Sequence, residues 1–214
     1  ELLRVADICR RHHVRVISDE IHCELTMPGY SYQPFAAISD DCRQECVVLT
    51  SPSKAFNIAG LQTANIFCAD TELRRRIDRA VNINEICDLN PFGPVALVAA
   101  YNDSEDWLDQ LRQYICRNYR DLCTFFAIQM PQLPITLLEG TYLVWADITA
   151  TGMASDQLTE RLLQRGHVQV SSGAMYDGEG FIRLNIATQN ARMMEGLNRI
   201  KTVVDVAATN NSSR

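Results

Sequence analysis

The chain has 214 residues, 47% hydrophobic and 21% charged, with a formal net charge of −6. That composition supports a packed globular core, and the lack of a long basic run argues against a nucleic-acid surface, which needs clustered Lys and Arg on phosphates. No apolar run approaches the ~18 residues that a membrane-spanning helix needs.

Residues 1–12 read as an amphipathic helix, with Leu2, Leu3, Ala6 and Ile8 apolar and Arg4, Asp7 and Arg10 polar. A chain opening inside a helix, without the basic start and apolar stretch of a signal peptide, is expected to be part of something longer. Residues 14–18 predict a short β-branched strand ending at Asp19-Glu20, and residues 28–34, with two prolines and a glycine, predict a loop. Residues 46–50 form a continuous apolar run, which suits a strand buried on both faces of a parallel sheet, and residues 64–69 read as another such strand. A charged helix is expected over 71–80 with Thr71 as its cap. Its Arg74, Arg75, Arg76 and Arg79, beside Glu72 and Asp78, predict a solvated face.

Asn90-Pro91-Phe92-Gly93-Pro94 breaks the chain, and an apolar helix is expected from 95 to 101. A long helix then starts near 102–104, with Trp107, Leu111, Ile115, Leu122 and Phe126 at helical spacing, and Pro131 and Pro134 end it. Residues 141–148, 168–171 and 181–187 predict strands. Residues 155–165 predict a helix capped by Ser155 and stopped by Gly166, and 190–206 predict a last helix before a polar tail. The expected architecture is therefore α/β: a parallel-rich part of a large domain over 1–101, a connecting helix over 102–134, a small α+β domain over 135–208 and a tail over 209–214.

The eight cysteines, at 9, 23, 42, 46, 68, 87, 116 and 123, include no C-x-x-C pair and several lie in apolar runs. Buried free thiols in a cytoplasmic protein are the expectation. His12 and His13 are adjacent and face different ways on a helix, so no metal site is expected there, nor at His167 beside the helix-stopping glycine.

Three segments draw attention in order. Ser18-Asp19-Glu20-Ile21-His22 and Ser51-Pro52-Ser53-Lys54 each follow a buried strand, and Phe181-Ile182-Arg183-Leu184-Asn185 lies near the C-terminus. In open α/β sheets ligand groups collect at the carboxyl ends of strands, where Asp19 and Lys54 fall. Taken singly, each has an ordinary reading as a turn residue, a surface lysine or a structural ion pair. Together they supply the groups a pyridoxal-phosphate (PLP) site needs. These are an amine for the cofactor aldehyde, a carboxylate for the pyridine nitrogen, hydroxyls for the phosphate and a guanidinium for a substrate carboxylate.

With Pro52-Ser53-Lys54-Ala55-Phe56-Asn57-Ile58-Ala59-Gly60-Leu61-Gln62, with residues 139–147 (Glu-Gly-Thr-Tyr-Leu-Val-Trp-Ala-Asp) and with Gly178–Ala187, these segments resemble the PLP-dependent aminotransferase class I/II family. Ser-Asp-Glu-Ile-His narrows the resemblance to the cystathionine β-lyase or C–S lyase branch. The similarity runs from about residue 1 to residue 206. It implies that Lys54 binds the cofactor and moves protons at Cα, and that Asp19 pairs with the pyridine nitrogen. It places Ser51 and Ser53 at the phosphate, His22 where many relatives have a tyrosine that touches the cofactor's phenolic oxygen, and Arg183 on the substrate α-carboxylate. Gln62 stands where many aminotransferases carry an arginine, which fits the lyase branch.

The resemblance further implies a sulfur-containing amino-acid substrate, a homodimer, and an N-terminal half bearing the glycine-containing phosphate turn and the ring-stacking aromatic residue. This chain is accordingly expected to be the C-terminal part of such an enzyme and to bind PLP weakly alone. The alternatives are an aminotransferase, and an inactive or regulatory domain built on the same fold.

Overall fold

The computed structural model describes residues 1–85 and 88–211, with side chains described as far as 206. Cys87 and the last three residues of the expected tail lie outside the described residues. The chain divides into two compact units, residues 1–110 and 111–214.

The first unit opens with α1 (Leu2–Arg11), whose Asp7 pairs with Arg10 and Arg11 one turn on. Strand β1 (Val16–Asp19) runs parallel to β2 (Cys46–Thr50), with Val16 opposite Cys46 and Asp19 opposite Leu49. Between them lies α2 (Asp40–Glu45), capped by Ser39, whose hydroxyl accepts from the Cys42 N–H at 3.1 Å. Phe35, Cys42, Cys46 and Val48 form a small core, with Ala6, Val16, Ala36 and Ile38 packed against it.

Strand β3 (Asn65–Cys68) departs from the expected pattern, because it pairs antiparallel with β2. The β2–β3 connection carries no crossover helix, and a parallel return would need one. The chain instead turns back on itself. Ile66 and Phe67 are 47% and 56% exposed, so the strand is not buried on both faces.

Helix α3 (Thr71–Asn82) is capped by Asp70, not Thr71. Asp70 Oδ1 accepts from the N–H groups of Glu72 and Leu73 at 2.9 and 3.1 Å, the second and third helical amides that a side-chain oxygen at the position before the helix can reach. Helix α4 (Phe92–Asp103) starts three residues earlier than the periodicity suggests, with Asn90 Oδ1 accepting from the Phe92 N–H. Helix α5 (Glu105–Gln129) follows a break at Ser104, whose hydroxyl donates to the Ala99 carbonyl. Its Leu108, Ile115, Leu122 and Phe126 are buried, whereas Trp107 is half exposed.

The second unit holds an antiparallel sheet of β4 (Leu143–Asp147), β5 (Ser171–Ser172) and β6 (Phe181–Asn185), in the order β4-β6-β5. Alternation decides which residues it buries. Val144, Ala146, Ile182 and Leu184 fill the core, while Trp145 and Arg183 oppose each other on the other face. Helix α6 (Ser155–Arg161) begins from Ala154, so Ser155 is not its cap. Ser155 is buried instead, with its hydroxyl accepting from the Gly180 N–H at 2.9 Å and its own N–H donating to Glu179 at 2.7 Å. A wide turn, Leu162–Gly166, closes this helix, and His167 takes the left-handed conformation after it (φ +52°).

Helix α7 (Asn190–Asn211) continues through residues expected to be tail. Its entry is fixed by Asn118, 1% exposed. The Asn118 amide donates to the carbonyls of Ile186 and Thr188, both at 2.9 Å, and its oxygen accepts from Asn190.

Of the cysteines, 9, 23, 42, 46, 68, 116 and 123 are free thiols. Cys42, Cys46 and Cys68 are buried and the other four partly so. No described helix is long and apolar enough to cross a membrane. Among the described residues no His, Cys, Asp and Glu cluster could hold a metal ion.

Candidate active site

Five of the six residues singled out in the sequence lie in the first unit, at the carboxyl ends of β1 and β2. Because the two strands are parallel, both chains leave the sheet at the same end. Asp19 closes β1 opposite Leu49, and the Glu20 N–H donates to the Leu49 carbonyl at 2.8 Å. β2 ends one residue later at Thr50 and runs straight into Ser51-Pro52-Ser53-Lys54. Asp19 is exposed, and its Oδ1 accepts from the Ile21 N–H at 3.2 Å, which orients the carboxylate. His22 follows, half-buried, in the turn after β1.

Lys54 sits on a stiff turn. Pro52 and Ala55 on either side are buried, Ala55 completely, so the intervening lysine is directed outward. The Phe56 N–H donates to the Pro52 carbonyl at 2.9 Å and the Ile58 N–H to that of Ser53 at 3.2 Å. Phe56 is clamped in turn, stacked on Trp107 with centroids 5.9 Å apart and edge-on to Tyr101 at 5.8 Å. That stack gives Trp107 a purpose its helical spacing did not reveal. The chain holds two lysines, and Lys201 is ion-paired to Asp205 on α7. Lysine scarcity was a readable signal for Lys54.

The serines are tightly accounted for. Ser51, 4% exposed, lies 2.6 Å from the Thr63 carbonyl, which can only accept, so the Ser51 proton points there. Its lone pairs then receive the Ser53 N–H at 3.1 Å and the Ser53 hydroxyl at 2.6 Å. Ser51 is saturated by the turn it belongs to, whereas Ser53 can release its proton to another acceptor by rotating about χ1.

Glu20 carries no sequence signal of its own beside Asp19. It is 8% exposed, and its Oε1 accepts from the Ser18 hydroxyl and the Phe35 N–H, both at 3.0 Å. It ties the loop before α2 to the end of β1. Nearby acids are held in their protonated forms. Burial, then the hydrogen bond to Glu20, pushes the Tyr32 phenol up. Burial, then the Glu24 carboxylate, does the same to Tyr101, whose hydroxyl donates to Glu24 at 3.0 Å. Burial and then Glu24 push the Cys23 thiol up to about 12. These groups are therefore donors, not bases, at neutral pH.

Arg183 belongs to the second unit, on the half-buried face of β6. Its guanidinium lies 4.2 Å from the centroid of the Tyr176 ring, and Nη2 reaches the Ser171 hydroxyl at 3.5 Å. A cavity of about 700 Å³ in the same unit is lined by Leu184, Ile186, Arg192, Met193 and Leu197. None of the singled-out residues lines it, so the candidate chemistry does not coincide with that concavity.

The family model for aminotransferase class I and II matches residues 1–200. This chain belongs to the aminotransferase class I and II family. Within the family it is similar to cystathionine beta-lyase PatB of Bacillus subtilis, 37% identical over 206 residues that cover 95% of this chain and 53% of PatB. The Escherichia coli protein MalY is 31% identical, with 92% of this chain and 50% of MalY covered. Among solved structures, Treponema denticola cystalysin, which contains a pyridoxal 5'-phosphate cofactor, superposes with a TM-score of 0.92 at 30% identity, covering 96% of this chain and 52% of cystalysin. The PLP-bound C–S lyase of Staphylococcus hominis gives a TM-score of 0.86 at 31% identity, with 95% and 53% covered. The chain thus spans about half the length of the curated family members it matches.

Proposed function

We propose that this chain carries the cofactor lysine and the substrate-carboxylate arginine of a PLP-dependent carbon–sulfur β-lyase. The observation that carries the reading is the emergence of Asp19 and Lys54 at one end of two adjacent parallel strands, on turns that fix both backbones. The donor set fits the cofactor: an outward amine (Lys54), an oriented carboxylate (Asp19), an imidazole one turn on (His22) and a hydroxyl free to reorient (Ser53). Likeness to lyase-named relatives supports the lyase over the aminotransferase. So does Gln62, exposed and left-handed (φ +53°) where the resemblance gives many aminotransferases an arginine.

PLP, when bound, supplies an electron sink for the pair left at the substrate Cα. Lys54 would hold the cofactor by its aldehyde, and its Nζ would take the substrate's Cα proton. Asp19 would keep the pyridine nitrogen protonated, and His22 would donate a hydrogen bond to the phenolic oxygen. Ser53 turns its hydroxyl to the phosphate, while Ser51 holds the turn. Arg183 grips the substrate α-carboxylate through two N–H groups. The Cβ–S bond breaks with its electron pair on sulfur, a proton follows to give the thiol, and water completes release of pyruvate and ammonia without an oxidant. We further propose a homodimer, and a reducing compartment such as the cytoplasm, which the free thiols suit.

The test is pyruvate and ammonia release from L-cystathionine by the PLP-loaded protein with no keto acid added, and its loss in Lys54→Ala. Turnover that depends on an added keto acid would make the protein an aminotransferase. Undiminished turnover by Lys54→Ala would remove Lys54 from the chemistry.

A further inference from the structure

We propose that Tyr176 is a positioning residue that sets Arg183 for carboxylate capture by holding its guanidinium against the phenol ring. The proposal rests on the reading of Arg183 as the carboxylate clamp.

Arg183 needs such a support. It projects from β6 between the buried Ile182 and Leu184, on the face it shares with Trp145 and Ser171. Among the described residues it has no carboxylate partner. Its neighbours are the Tyr176 ring, 4.2 Å from Cζ, and the Ser171 hydroxyl at the 3.5 Å limit of a hydrogen bond. A long side chain without a partner samples many rotamers, and ordering it for a ligand lowers affinity. A carboxylate partner would order it but occupy its donors. A ring face orders it through the π cloud and consumes no N–H, so the planar fork stays available for a bidentate ligand.

The ring itself is held by a second aromatic contact. Trp145 meets Tyr176 edge-on with centroids 5.6 Å apart, and Phe181 meets Trp145 edge-on at 6.4 Å. The four residues form one chain of contacts, Phe181–Trp145–Tyr176–Arg183. The turn presenting Tyr176 is equally constrained. The Gly178 N–H donates to the Gly173 carbonyl at 2.9 Å, and the Ser172 hydroxyl accepts from the Ala174 N–H at 3.3 Å. A Cβ on Gly173 would lie 2.1 Å from the Gly178 carbonyl oxygen and 2.5 Å from that of Phe181, so only glycine allows this approach. Tyr176 is 44% exposed, so burial of the phenol does not account for so fixed a mounting.

The test uses the holoenzyme with propionate, a carboxylate lacking the amino group needed for reaction. Arginine side-chain NMR reads the Arg183 Nε–H, and titration gives the propionate Kd. In the wild type the Nε–H resonance lies upfield of a free arginine, from the ring current. Tyr176→Leu keeps apolar bulk against Trp145 but has no π face. It is expected to lose the upfield shift, to weaken propionate about fivefold and to raise KM for L-cystathionine with kcat unchanged. Tyr176→Phe is expected to match the wild type in all three. Arg183→Lys tests the underlying reading and is expected to weaken propionate at least tenfold. If Tyr176→Leu keeps Kd within twofold while Arg183→Lys does not, positioning by Tyr176 is wrong and the clamp stands. If Arg183→Lys binds propionate normally, the clamp itself is wrong.

Discussion

Replacing Ser51 by alanine measures how much of the lysine turn is held by one hydroxyl. Ser51 is 4% exposed and makes three hydrogen bonds, donating to the Thr63 carbonyl and accepting from the Ser53 N–H and hydroxyl. The alanine leaves the carbonyl of buried Thr63 and the N–H of Ser53 without partners. Ser53 is only half-buried, so water recovers most of its loss, whereas the Thr63 carbonyl bears nearly the full desolvation cost. At about 1–3 kcal/mol for a buried unsatisfied group and under about 1 kcal/mol for a solvated one, the sum is about 2 kcal/mol. That corresponds to a fall in Tm of about 4–8 °C for a protein of this size. Urea unfolding and calorimetry read it directly. Ser53→Ala removes only a donor to an oxygen already bonded elsewhere and is expected to cost under about 0.5 kcal/mol. A Ser51→Ala protein within about 0.5 kcal/mol of the wild type would refute the donor assignment and return Ser51 to direct phosphate binding.

Glu20→Ala is expected to destabilise by about 1–3 kcal/mol in urea unfolding, because the Phe35 N–H loses its acceptor in a buried site. Asn118→Ala takes the donor from the part-buried Thr188 carbonyl and one of two from the buried Ile186 carbonyl, which keeps the Thr188 N–H, and is expected to cost about 1–3 kcal/mol and to expose the β6–α7 connection to limited proteolysis. Cys23, raised from 9.0 to about 12, is expected to resist alkylation at pH 9 in the folded protein and to react once unfolded. The folded state then holds a proton that the unfolded state releases, so stability falls as pH rises from 9.0 toward 12, and Cys23→Ser flattens that slope.

Periodicity located the helices and most strands because burial on one face repeats with the element's own period. It misjudged β3, where an apolar run reads the same in a central strand and in an edge strand exposed on both faces. Caps slipped by one residue at Asp70 and Ala154, since neighbouring Thr71 and Ser155 carry equally plausible oxygens and only geometry chooses between them. Lys54, Asp19 and Arg183 stand out in the sequence because their motifs are contiguous. Glu20, the Phe56–Trp107 stack and Tyr176 beside Arg183 do not, as each depends on contacts between residues 7 to 51 positions apart.

The central claim is that Lys54 is the amine that joins the cofactor, and borohydride trapping tests it most directly. The protein is incubated with PLP, reduced, digested and mapped by mass. The account predicts a phosphopyridoxyl group on the peptide containing Lys54, absent after Lys54→Ala. A label on Lys201 with Lys54 unmodified would contradict it.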